Sequence, residues 1–200
     1  MEHALESTVQ ERPEPREGEK LLPDGVLGMI LFIFTEAMLF AGFISAFVIV
    51  KSQAAGQMWP PFGQPRLPVE ETAVNTAALL VSGLVLGFAQ FAFRRSARQA
   101  VLPFAVSIFL GLFFVGFQGV EWAQLLGQGL TLQSSTYGAF FYLIVGAHAI
   151  HAVGALAALV WAWFRLRDDD LGQSAFTTVQ LFWYFVVLLW PILYWKVYLA

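Results

Sequence analysis

Residues 25–50 read GVLGMILFIFTEAMLFAGFISAFVIV, an apolar run with a single ionisable side chain, Glu36. A helix rises about 1.5 Å per residue and the hydrocarbon core of a bilayer is about 30 Å thick, so about 20 apolar residues can cross it. The run is long enough, and it lacks the alternation of a barrel strand. Four further segments share its character, at 71–93, 100–126, 136–164 and 174–199. The sequence therefore predicts an all-α fold, a polytopic membrane bundle of five transmembrane helices. No turn chemistry interrupts the longest runs, so each is read as one tilted helix.

Composition leads to the same class. The chain has 200 residues, 58% hydrophobic and 12% charged, with no cysteine. Soluble domains carry about 25% charge, and a soluble globule of this size has too little interior for so much apolar surface. A soluble enzyme, a disordered protein and a nucleic-acid binder are excluded. The missing cysteine removes disulfides, thiolate metal sites and cysteine catalysis. Residues 1–24 hold seven acids and three bases, and are read as a disordered acidic tail. Residues 25–200 form a single five-helix domain. The first 20 residues are polar and the first apolar run is long, so a cleavable signal peptide is not expected.

The intervening segments set the orientation. The loop over 51–70 carries Trp59, Pro60, Pro61, Phe62 and Gly63, then Pro65 and Pro68, and proline disfavours helix at and before its own position. Lysine and arginine number three in the tail, three in 94–99 and two in 165–173, against Lys51, Arg66 and Lys196 on the other side. The eight-residue side is expected to be cytoplasmic, which places the N-terminus inside and the C-terminus outside. No internal repeat is visible, which argues against an inverted-repeat transporter.

Few polar groups lie at membrane depth, where each needs a partner or a role. At about 1.5 Å per residue, Glu36, His148, His151 and Tyr184 share a middle layer, while Glu121 lies about 8 Å from the outer end of its span. His148 and His151 are three apart and project from neighbouring positions on one helix. They admit two readings: metal or haem ligands, or a buried polar pair bonded to Glu36 or another span. Glu36 is either a proton carrier or a neutral carboxyl held by a hydrogen bond. Gln118 and Glu121 form an outer polar layer suited to a lipid, a neighbouring subunit or interfacial water. The pairs Gly42/Ala46 and Gly83/Gly87 have the small-xxx-small spacing of close helix contacts. Pro191 predicts a kink in the last span. Trp59, Trp122, Tyr137, Trp163, Trp195 and Tyr198 fit interface belts.

Several of these pieces occur together in one known family. The first span carries Thr35-Glu36-Ala37-Met38-Leu39-Phe40, and the loop Trp59-Pro60-Pro61 then Gly63. Span 2 opens with Asn75-Thr76, and span 3 carries Gln118-Gly119-Val120-Glu121-Trp122. Span 4 carries Tyr137-Gly138-Ala139-Phe140-Phe141-Tyr142, then Gly146-Ala147-His148-Ala149-Ile150-His151. In this order the motifs make the chain resemble subunit III of the haem–copper oxidases, in its five-helix bacterial form. One stretch departs. Where the family's last helix has Trp-His-Phe-Val-Asp, this chain has Trp183-Tyr184-Phe185-Val186-Val187, with Trp190 retained.

The resemblance implies an accessory subunit of a respiratory terminal oxidase in the bacterial inner membrane. This chain would bind no haem, copper or other metal and would not itself be catalytic. Haem and copper would reside in partner subunits, and the chain would pack on the catalytic subunit I. Phospholipid would sit in a cleft between the first two helices and the rest, and the chain would support stability and proton uptake. The electron donor, cytochrome c or quinol, binds other subunits. The departure at Tyr184 and Val187 leaves a divergent oxidase and an accessory subunit of a nitric oxide reductase both open, and Glu36 with the two histidines leaves a stand-alone proton-coupled transporter as a separate alternative.

Overall fold

The computed structural model describes residues 22–54, 59, 61 and 64–199. Most of the acidic tail, and Pro60, Phe62 and Gly63 of the first loop, lie outside these residues. The described chain forms α1 (Asp24–Gln53), α2 (Val69–Phe93), α3 (Ala97–Gly127), α4 (Thr136–Arg167) and α5 (Gln173–Leu193), the last continued by a π-helical segment over Tyr194–Leu199. All five are long and apolar enough to cross a membrane.

The helices overrun the apolar stretches by a few residues, because charged side chains at their ends can reach back along the helix. At the end of α4, Arg167 lies over the Trp163 ring at 5.0 Å and Arg165 over Trp161 at 5.5 Å. The stops are local. Leu130 N–H bonds Leu125 O at 3.0 Å and Gly129 N–H bonds Leu126 O at 3.0 Å, with Gly129 at φ 89°. This is a Schellman end, which needs a left-handed residue after the cap. Asp169 fills that position after α4 at φ 57°, and Asp170 pairs with Arg165 at 2.6 Å. Ser135 caps α4 by accepting from Gly138 N–H. At Pro191, which has no N–H to donate, α5 continues to Leu193 before the winding loosens to π at Tyr194.

α5 is the central helix, in contact with α1, α2 and α4, while α2 lies along α3 and α4 closes against α3. Its span is 50% buried, against 11% for α1. The interior is filled by Trp183, Trp190, Phe114, Phe141, Leu79 and Leu86. Among the described residues α2 packs on α3 and α5, while α1 is the peripheral helix, packed on α5 and α4.

The antiparallel order gathers the α1–α2 and α3–α4 loops at one end, where the Ser134 hydroxyl donates to Gln64 Oε1 at 3.1 Å. The α2–α3 turn at 94–96, with Arg94 and Arg95, and the end of α4, with Arg165 and Arg167, share the opposite end with the start of α1.

Candidate functional site

In the middle layer an acid–imidazole pair bridges α1 and α4. His151 on α4 faces Glu36 on α1, Nε2 to Oε2 at 3.0 Å, and its Nδ1 lies 2.8 Å from Ala147 O. A carbonyl only accepts, so Nδ1 carries the hydrogen. Nε2 then either accepts from a protonated Glu36 or donates, as imidazolium, to its carboxylate. In both forms the pair shares one proton and has no net charge. Phe40 and Phe185 pack edge-on around the imidazole, with centroids at 5.5 and 6.0 Å.

His148 and Tyr184 do not join this pair. Positions three apart on a helix differ by about 60° around its axis, which sends His148 inward and His151 toward α1. His148 is 1% exposed. Its ring lies 5.0 Å from Trp190 and 6.4 Å from Phe114, and neither nitrogen has a hydrogen-bond partner. The Tyr184 hydroxyl accepts from Gln180 Nε2 on its own helix at 3.0 Å. The four residues share a depth without forming one network.

The outer pair also differs from expectation. Gln118 and Glu121 face the interior of the bundle, 6% and 3% exposed, rather than lipid or a neighbouring subunit. Glu121 Oε1 contacts the Thr72 hydroxyl at 2.9 Å and its Oε2 accepts from Gln118 Nε2 at 2.7 Å, while Nε2 also lies 3.2 Å from Tyr198 Oη. The π-helical segment thus closes over this cluster. Tyr137 and Tyr198, expected in an interface belt, are interior as well.

A polar seam along α2 completes the arrangement. Trp190 Nε1–H donates to Thr76 Oγ1 at 2.8 Å, and Thr76 donates to Thr72 O at 2.7 Å. Asn75 Nδ2 donates to Phe114 O at 3.2 Å. Nearly two turns further along α2, the Ser82 and Ser107 hydroxyls each lie within 3.0 Å of the other's carbonyl, and Trp183 Nε1–H donates to Ser82 Oγ at 3.0 Å. Sequence reasoning missed Thr72, Ser82 and Ser107. The available signal was the recurrence of small polar residues at 72, 75, 76 and 82, spaced to return to one helix face.

The remaining motif residues hold the ends of the bundle. Trp59 packs edge-on against Tyr137 at 5.5 Å and Phe47 at 6.0 Å. Pro61 O accepts from Gln64 N–H at 3.1 Å. Gly138 lies so close to Thr131 O that any side chain there would collide. Tyr142 donates to Leu130 O at 2.8 Å and packs on Trp122 at 5.6 Å, whose ring would be 3.6 Å from a Cβ at Gly146. Phe141 packs on Tyr198 at 5.8 Å. Among the described residues no group of three or more histidine, aspartate or glutamate side chains is arranged to hold a metal ion.

Five membrane-crossing helices, joined by isolated polar contacts and one acid–imidazole pair, define a polytopic helical-bundle membrane protein whose polar groups tie helix to helix. Residues 19–200 match the family model of cytochrome c oxidase subunit III, and the chain belongs to that family. It is 33% identical over 180 residues to cytochrome c oxidase subunit 3 of Neurospora crassa, covering 86% of this chain and 66% of the fungal protein. It is 31% identical over 179 residues to the protein of that name from Struthio camelus, covering 86% of this chain and 67% of the relative. A probable cytochrome c oxidase subunit 3 of Nocardia farcinica is 29% identical over 177 residues, covering 86% of each chain. The chain thus spans about two thirds of the fungal and avian proteins' length.

Proposed function

We propose that this chain is the non-redox accessory subunit of a respiratory haem–copper oxidase that reduces oxygen to water in a bacterial inner membrane. Family membership across residues 19–200 carries the reading. The geometry adds a physical role. The buried polar side chains of α2 are engaged with α3 and α5, which makes a rigid slab. On α1, Leu31, Phe34, Met38 and Ile49 are exposed, an apolar face for phospholipid and for the catalytic subunit, which would hold the haem and copper. The N-terminus and the arginine-bearing end of the bundle face the cytoplasm in this reading. Proton uptake would be supported through packing, with the Glu36–His151 pair holding α1 to the bundle.

Extraction in mild detergent tests the proposal. The chain is expected to co-purify with a haem-bearing partner and to be colourless once separated. A complete, active oxidase lacking this chain, from cells that express it, would refute it. One observation favours a second reading: Tyr184 and Val187 stand where the family motif has histidine and aspartate. Turnover of oxygen against nitric oxide by the purified complex separates the oxidase from a nitric oxide reductase.

A further inference from the structure

At the arginine-bearing end of the bundle, a groove of about 700 Å³ lies between the start of α3 and the end of α4. Its walls are of two kinds. Val101, Leu102 and Leu166 supply an apolar part, and Arg98, Arg167 and Asp169 supply charge. Leu102 on α3 and Phe164 on α4 are exposed, so the groove lies where the lipid-facing surface of both helices begins.

One arginine is held in place. Trp163 Nε1–H donates to Val101 O at 3.1 Å, which pins the indole between the two helices, and the Arg167 guanidinium lies over that ring at 5.0 Å. A guanidinium stacked by its face keeps its N–H edge for a phosphate or carboxylate. Arg165 is taken by Asp170 at 2.6 Å, whereas neither Arg98 nor Arg167 has an ion-pair partner among the described residues. Asp169, at φ 57° in the turn that ends α4, brings one carboxylate to the same groove. A soluble phosphate has no use for the apolar wall, and an acyl chain alone has none for the arginines. A phospholipid uses every part: its phosphodiester meets the guanidinium groups, an acyl chain meets Leu102, and a headgroup N–H or O–H meets Asp169. Ethanolamine and glycerol headgroups have such a donor; choline has none.

We propose that this groove binds one phospholipid of the ethanolamine or glycerol class, its phosphodiester held by Arg98 and Arg167 and its headgroup donor by Asp169. The site lies on α3 and α4, not on the exposed face of α1. It requires only that the chain be inserted in a membrane, so it stands or falls independently of the oxidase reading.

In the test, the native complex is stripped of loosely held lipid in detergent. It is then titrated with phosphatidylethanolamine, phosphatidylglycerol or phosphatidylcholine of identical acyl chains, and bound lipids are counted by native mass spectrometry. One site is expected to take the ethanolamine or glycerol lipid in preference to the choline lipid. Arg98→Gln combined with Arg167→Gln should weaken that binding by about tenfold or more. Asp169→Asn, which tolerates the same backbone, should erase the preference over choline. Arg94→Gln, at the same end but outside the groove, is the control and should bind as the wild type does. Equal binding of the three lipids by the wild type, or unchanged binding by the double arginine variant, overturns the proposal. So does displacement of the lipid by inorganic phosphate, or a map of the complex in which the groove holds the acidic tail or a partner's side chain. If the arginine variants do not assemble, the wild-type preference and that map decide.

Discussion

His151 on α4 lies 3.0 Å from Glu36 on α1, and its other ring nitrogen is committed to Ala147 O. The peripheral helix is thereby tied to the bundle through a bond that carries a single shared proton. Glu36→Gln keeps a donor for Nε2 and preserves the tie, so assembly and turnover should stay near wild type. His151→Leu removes it, at about 0.6 kcal/mol by the typical membrane value and at most about 1.7. Unfolding midpoints of the detergent-solubilised protein measure both. An unchanged midpoint in His151→Leu would mean that the contact contributes nothing. Loss of proton pumping in an assembled Glu36→Gln complex would instead show that the carboxyl itself moves protons.

Helix approach sets a second prediction. A Cβ at Gly83 would stand 3.0 Å from Val187 Cγ1, and one at Gly111 would stand 2.8 Å from the Trp183 ring. That ring is held by its bond to Ser82, so it has little freedom to move aside. Gly111→Ala should destabilise by about 1–3 kcal/mol, as overpacking does. Gly83→Ala should fall lower in that range, since a valine can shift. Gly42 has nothing within 4 Å of its Cβ position, so Gly42→Ala is the control and should be neutral or slightly stabilising. Thermal unfolding of the three variants side by side gives the order.

The same contrast shows what the sequence could reveal. Five spans were legible because apolar length is a local property, written into each run by the thickness of the bilayer. Which face of a helix meets which neighbour is not local. Gly42/Ala46 and Gly83/Gly87 have the same spacing, yet only the second pair faces another helix, with Gly87 closest to the Tyr184 hydroxyl. His148 and His151 looked equivalent, and about 60° of helix rotation sent them to different surroundings. Gln118 and Glu121 were placed near an end by depth alone. Nothing in that count shows that Thr72 and Tyr198 cover them.

The serine pair between α2 and α3 yields a third prediction. Ser82 serves Ser107 and also accepts from Trp183 Nε1–H, so Ser82→Ala leaves two partners unsatisfied and Ser107→Ala leaves one. Ser82→Ala should be the more costly, by about 1–2 kcal/mol against about 0.6 for Ser107→Ala. The Trp183 indole then loses its acceptor, which shifts its fluorescence relative to the wild type. Equal midpoints for the two variants would show that the indole bond to Ser82 adds nothing.

Val187 explains why the family's terminal aspartate has no place in this chain. Its side chain is 4% exposed and fills the space opened by Gly83 on α2. Next to it in the motif, Tyr184 sets its hydroxyl 2.9 Å from the Cβ position of Gly87. Both substitutions therefore pack α5 onto glycines of α2, where the family motif would bring an imidazole and a carboxylate. Val187→Asp exchanges that packing for a carboxylate at membrane depth, with a cost of about 2.5–3.5 kcal/mol on insertion scales. Tyr184→His, which keeps a polar ring, should cost less. Measured by yield and unfolding midpoint of the complex, Val187→Asp should be the more damaging, and restoring both motif residues together should not recover stability. A double variant as stable as the wild type would show that the bundle still accommodates the family's polar pair, and that the valine is not required by the glycine it packs against.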